Sequence, residues 1–413
     1  MAFLFFMLSL IVLYIRPAEW IPAFHGLRLA SITLTGTALF LCLHRAATRQ
    51  GLVKVPHTGM LIGLVLAVAL SHAVHTYMTG LINSLSAFAT VLVIYVLAVN
   101  TVTSLGRFRV TLWVILLLTA LLAWQGVYQF QHGYGWAGQT MADGNRIRWI
   151  SIFNDPNDLA LAFVIMVPLL LAYLLKPGFF GLKIIPLSLL GLLLYGIFLT
   201  NSRGGILGLM VAIMFFFVKR SRWVVPGMVL GGLISTGVFL FGPSRLGFLA
   251  AQDESAVGRL DAWYYGFQLI KSNPLFGVGF NMFTDRYPLT AHNSFVLAAA
   301  ELGIVGLMCW VGLFYVSFKG LSRVERYCPR LAFYAYGLQA GIVGFMATAF
   351  FLSRTYNEIP YLVCALSAAL YAIALQETDA VAFRLRAGDA RNILVLSLGS
   401  LLLVQAAMKT WLR

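Results

Sequence analysis

Residues 110–130 read VTLWVILLLTALLAWQGVYQF, a stretch without one charged side chain. A run of roughly 17–25 apolar residues can satisfy its own backbone as a helix and span the hydrocarbon core of a bilayer. Working outward, runs of the same kind recur at about 2–15, 28–43, 58–77, 81–100, 157–175, 184–200, 204–218, 223–241, 292–318, 331–352, 359–376 and 392–408. Mean hydropathy is +0.87 and only 10% of the 413 residues are charged. The expected fold class is all-α integral membrane: a polytopic bundle of about 12–13 transmembrane helices, one domain over 1–413, with a large, partly helical loop at 242–291. The first run lacks a basic leader, and RPAEW (16–20) is a poor cleavage site, so it reads as a retained helix.

A net charge of +15 would point to nucleic acid in a soluble protein, but here its distribution orients the chain, and no nucleic-acid partner is expected. With the N-terminus inside, the inner connectors hold 17 of the 29 Lys and Arg, leaving 12 outside, whereas nine acids fall outside and four inside. The positive-inside bias therefore puts 242–291 on the outer face, the periplasm of a bacterium, and the localisation expected is a bacterial inner membrane. The short basic connectors, such as KRSR (219–222), read as topology determinants facing anionic membrane lipids. The four cysteines lie in apolar runs or, for Cys328, in an inner connector, and read as small buried groups without a disulfide.

Against this apolar background, residues 242–306 form a polar island that gathers Arg245, Asp253, Glu254, Arg259, Asp261, Lys271, Asp285 and Arg286. A membrane protein gathers that much charge outside the bilayer for chemistry or recognition. Within it, SAVGRLDAWYYGFQLIKSNP (255–274) predicts a helix, capped by Ser255 and stopped by Ser-Asn-Pro. Its apolar stripe is Val257, Leu260, Trp263, Tyr264, Phe267 and Ile270, and Arg259 falls between stripe positions, turned toward a cavity or a headgroup. FGVGFNMF (276–283) predicts a glycine-permitted turn back to the bilayer.

Four groups are candidates for chemistry. Arg203 stands in TNSRGGILGL (200–209) at the start of a helix, where free N–H groups and a guanidinium make an anion site; Asn201, Ser202 and the glycines leave the backbone approachable. His292 stands where the charged loop meets a helix, with a side chain suited to general base work, and Asn293 follows it. Gly303 and Gly306, deeper in that helix, are expected to allow close helix packing. Glu301, the one acid inside a confident span, is expected to partner an arginine or a backbone group. His72 and His75 have the i, i+3 spacing of a metal pair but no further ligand within a turn, so no metal and no cofactor are expected.

These residues resemble the O-antigen ligase and O-antigen polymerase superfamily. The ligase pattern of Arg, three residues, Leu is matched by Arg203 to Leu207. That of His, Asn, nine residues, Gly, two residues, Gly is matched by His292, Asn293, Gly303 and Gly306. GRLDAWYYGFQLIKSNPLFGVGFNMF (258–283) is similar to the superfamily's shared loop, and by position the loop arginine of ligase sites corresponds to Arg259. Leu307 and Met308 stand where ligases usually carry small polar residues, so the resemblance leaves ligase and polymerase both open.

The resemblance implies a periplasm-facing glycosyltransferase, metal-independent and inverting. Its donor would be an undecaprenyl-diphosphate-linked glycan and its acceptor lipid A-core oligosaccharide or, for a polymerase, another lipid-linked glycan. His292, Arg203 and Arg259 would be catalytic. Both arginines, with Asn293, Arg286, Asn201 and Ser202, would bind diphosphate or glycan. A third reading, a bicarbonate-like transporter sharing the loop, is disfavoured by spans that read as uninterrupted and, Glu301 apart, uncharged.

Overall fold

The computed structural model describes residues 1–176, 180–219 and 254–411. Twelve long helices in that range form the bundle: α1 Ala2–Ile15, α2 Leu29–Thr48, α3 Pro56–Ala73, α4 Met78–Thr101, α5 Leu105–His132, α6 Pro156–Leu175, α7 Ile184–Thr200, α8 Arg203–Val218, α10 Ser294–Tyr327, α11 Ala332–Thr348, α12 Glu358–Glu377 and α13 Ala387–Trp411. A further helix, α9 Glu254–Ser272, precedes the longest of them. Among the described residues the protein is all-helical, apart from two isolated β-bridges in the loop after α5. Among the described residues eight helices are long and apolar enough to cross a membrane, and α1, α7 and α8 are shorter apolar helices. The expected span at 223–241, and Arg245 and Asp253 of the polar island, lie outside the described residues.

Burial identifies the centre of the bundle. The spanning window of α12 is 83% buried and that of α2 only 17%, so α6, α10 and α12 are interior and α2 and α13 face lipid. Glycines on α11 bring it close to its neighbours, since side chains at Gly337 and Gly341 would run into Leu169 and the Ile165 carbonyl of α6. On the other side, Gly208 of α8 sits against Thr348 and the Gly344 carbonyl. Small residues give membrane helices this approach where no hydrophobic force draws them together.

The helix carrying Glu301 is broken. Gly303 has φ 66° and ψ −171°, a conformation that essentially only glycine adopts, and α10 continues beyond it. The turn 274–279 fills the break. Val278 and Gly279 N–H donate to the Ala300 and Glu301 carbonyls (2.9 and 3.1 Å), and Ile304 N–H donates to the Pro274 carbonyl (2.8 Å). Side chains at Gly303 or Gly277 would lie 2.1 and 2.2 Å from backbone atoms of the opposing segment. Two sequence expectations are corrected here. Gly303 admits a loop, not a neighbouring helix, and the spans are not all uninterrupted.

The end of α3 clasps the same turn. Ser71 Oγ accepts the Phe280 N–H (3.0 Å), His72 Nε2 bonds the Phe280 carbonyl (3.1 Å) and His75 Nε2 the Gly277 carbonyl (2.9 Å). The i, i+3 histidines thus read loop backbone.

Candidate active site

The loops at 133–155, 201–202, 273–293 and 349–357 gather at one end of the bundle. At the opposite end Lys219 pairs with Glu325, Lys319 with Asp389, and Arg323 with the Ala380 and Val381 carbonyls. This separation follows from helices that cross alternately.

His292 is the last residue before the Asn293 cap of α10, and its own backbone is left-handed, with φ 48°. Such a conformation costs about 1–3 kcal/mol outside glycine and persists where the surroundings fix it. Here they do. Asn293 Oδ1 accepts the N–H groups of Phe295 and Val296 (2.9 and 3.0 Å), and its amide donates to the Phe350 carbonyl (3.0 Å). Ser294 N–H donates to the Ala349 carbonyl, its hydroxyl accepts from Arg354 N–H (2.8 Å), and Thr355 Oγ1 donates to its carbonyl. The segment holding His292 is thereby stitched to 349–355.

That stitching delivers an arginine absent from the sequence expectations. Arg354 donates to Asp155 Oδ2 (2.6 Å) and to Asp158 Oδ1, both at the start of α6. Acids there also complement the positive end of the helix dipole. Arg354, Asp155 and Arg259 all act electrostatically on His292. Burial, then the Arg259 and Arg354 charges, hold its imidazole below the usual histidine range, with Asp155 opposing them. The ring is therefore neutral at neutral pH, the form that accepts a proton.

Arg259 reaches this place because the buried face of α9 runs through Ala262, Trp263 and Leu269, with Gly266 against Val296 and Phe283. Arg259 lies one turn before Ala262 and Trp263 on that face. The expected stripe is rotated relative to this one: Tyr264 is 60% exposed.

The turn before α8 is built as tightly. Arg146 Nε donates to the Thr200 carbonyl (2.9 Å) and its Nη2 to Asn157 Oδ1 (3.0 Å), which also accepts from Ser202 Oγ (2.7 Å). Ser202 Oγ also caps α8 through Gly205 N–H. Arg203, half-buried, is the first residue of α8, and a side chain on Gly204 would lie 3.1 Å from Phe351 Cβ, which sets this turn against the Arg354 loop.

The expected site residues thus divide into two sets. His292 and Arg259 come together, and the Arg203 turn adjoins the loop that carries Arg354. Asn293 and Ser202, expected to bind substrate, are buried with their side chains spent on capping, and they position their neighbours. Asn201 is buried with neither amide atom hydrogen-bonded, whereas Arg286 is exposed in the one-turn helix Phe283–Arg286. Glu301 partners a backbone group, accepting Phe283 N–H at 3.0 Å. Among the described residues no three His, Cys, Asp or Glu side chains converge as ligands.

Arg354 carries no distinguishing signal in the sequence: the Ser-Arg pair at 353–354 also occurs at 202–203, 221–222, 244–245 and 322–323.

Residues 188–311 match the family model described as O-antigen ligase, which supports the resemblance to the O-antigen ligase and polymerase superfamily. The matched stretch contains Arg203, Arg259, Glu301 and His292, whereas Arg146, Asp155, Asp158 and Arg354 lie beyond it. No curated protein shows a significant match to the chain.

Proposed function

We propose, with the match of residues 188–311 to the O-antigen ligase family model as the premise, that this membrane protein transfers a glycan from an undecaprenyl-diphosphate carrier to lipid A-core oligosaccharide. The reaction takes place on the periplasmic face of the bacterial inner membrane. What carries the reading is His292, whose imidazole is held below the usual histidine range by burial and by the charges of two guanidinium groups, Arg259 and Arg354. A third, Arg203, stands on the adjoining turn.

In this reading Arg203 and Arg259 hold the diphosphate, whose charge grows as the anomeric carbon–oxygen bond breaks; paired guanidinium forks suit both its charge and its geometry. The acceptor hydroxyl attacks the anomeric carbon from the opposite face and inverts it. Its proton passes to His292 and the bond's electrons leave with the carrier diphosphate. Such a base is worth roughly 10²–10⁴ in rate. Burial, with the Arg259 and Arg354 charges, favours the deprotonated imidazole between turnovers.

Transport has less support even though α10 is broken. A broken membrane helix serves ion coordination through its freed carbonyls, but those of Ala300 and Glu301 accept hydrogen bonds from the 274–279 turn.

The test is transfer by the purified protein from a lipid-linked donor to lipid A-core and, separately, to a second lipid-linked repeat unit. His292→Ala is expected to abolish transfer while keeping donor binding, and Arg259→Ala to weaken both. Transfer only to the lipid-linked unit would make the protein a polymerase. Full activity of His292→Ala would remove the base and with it this mechanism.

A further inference from the structure

A cavity of about 280 Å³ opens at the same end of the bundle, lined by Ser151, Asp158, Asn281, Glu301, Arg354 and Tyr356 among others. Thr290 and Leu297, which flank the His292 segment, also line it, so it lies alongside the histidine. Its walls are mostly hydrogen-bonding groups, which is unusual so close to the apolar interior.

Three of the lining groups make no hydrogen bond of good geometry, Ser353 Oγ among them. Glu301 is 2% exposed; its Oε1 is occupied by Phe283 N–H, but its Oε2 has no hydrogen bond of good geometry. The hydroxyl of Tyr356 and the Asn281 N–H lie within hydrogen-bonding range of Glu301 but neither is well aligned with it, and the Tyr356 hydroxyl has no other partner. A buried carboxylate oxygen without a well-aligned partner costs roughly 1–3 kcal/mol or more, so it calls for a partner. A carboxylate acceptor beside a phenol and an amide, in a space that admits one small polyhydroxylated ring, is the chemistry of sugar recognition. Arg354 joins this cavity to His292, lining the one and acting on the other.

We propose that the cavity is an acceptor subsite, in which Glu301 and Tyr356 fix hydroxyls of the acceptor's terminal sugar so that a neighbouring hydroxyl faces His292. This rests on the glycan-transfer reading above.

The experiment uses the full chain in lipid nanodiscs, with an undecaprenyl-diphosphate-linked glycan as donor and a lipid A-core glycolipid as acceptor. Glu301→Gln keeps the oxygen that holds Phe283 N–H and removes the charge; Tyr356→Phe removes only the hydroxyl. Each is expected to raise the acceptor KM roughly tenfold or more, the loss of a hydrogen bond to a charged group, with donor Kd and thermal midpoint unmoved. A purely structural role would lower the midpoint and shift donor Kd with acceptor KM, and that result overturns the assignment. So does an acceptor KM within twofold of wild type in both variants. In either case wild-type transfer and its loss in His292→Ala would leave the glycosyltransferase reading standing. A wild-type protein that binds the donor yet transfers to neither lipid A-core nor a lipid-linked repeat would sink both.

Discussion

At the scale of single residues, the proposed chemistry turns on the protonation of one imidazole. Burial and the Arg259 and Arg354 charges hold His292 below its ordinary value. Activity that needs the neutral ring should therefore persist below neutrality and fall only as pH drops through that lowered value. Arg354→Gln removes one of the lowering charges and frees Asp155, which raises it, so the acid limb of kcat/KM against pH should move upward. A limb that stays put, or moves down, would separate His292 from the base role. Arg203→Lys keeps the charge but loses the planar fork, and transfer should fall roughly tenfold or more at normal protein level; near-normal transfer would leave Arg203 a simple electrostatic residue. His292, Arg259 and Arg203 were legible because each sits in a local pattern at a helix start or on a helix. Arg354 was not, because its partners Asp155 and Asp158 lie 199 and 196 residues away, and such pairing leaves no periodicity to read.

At the scale of elements, the helices announced themselves by apolar length, and the break in α10 did not. A single glycine in an apolar run has the same letters whether it receives a neighbouring helix or an inserted turn. Only the hydrogen bonds from 274–279 show which. The rotation of the α9 stripe has a related cause: its partners are Val296 and Phe283, which a count of apolar positions within α9 cannot weigh. Gly303→Ala tests the insertion. It places a methyl 2.1 Å from the Leu275 carbonyl, in a backbone conformation already costing a side chain about 1–3 kcal/mol. The detergent-solubilised protein should unfold several degrees lower or fail to accumulate. Gly306→Ala, which meets only the Leu302 side chain, should be milder. Equal, small effects would mean that the turn does not enter the helix as described.

For the whole molecule, the charge bias and the packing agree on two ends, one basic and one carrying the site, and labelling can assign them to membrane faces. In a cysteine-free background, Tyr264→Cys on the exposed side of α9 should react with an impermeant thiol reagent added to the periplasm, and Arg326→Cys at the basic end should not. The reverse pattern would invert the orientation and put the histidine in the cytoplasm. Transfer in EDTA should equal that without it; loss restored by Mg²⁺ would show that the guanidinium groups do not stabilise the leaving group alone. The turn seated in α10 also limits how such a protein can be recombined with a relative. The hydrogen bonds between 274–279 and 300–304 lock the number of residues on each side of the turn, and Ser71, His72 and His75 grip it from a third helix. A chimera cut between α9 and the middle of α10 would join halves of a seam whose counts differ. One that exchanges 254–305 as a single cassette, together with the end of α3, should fold.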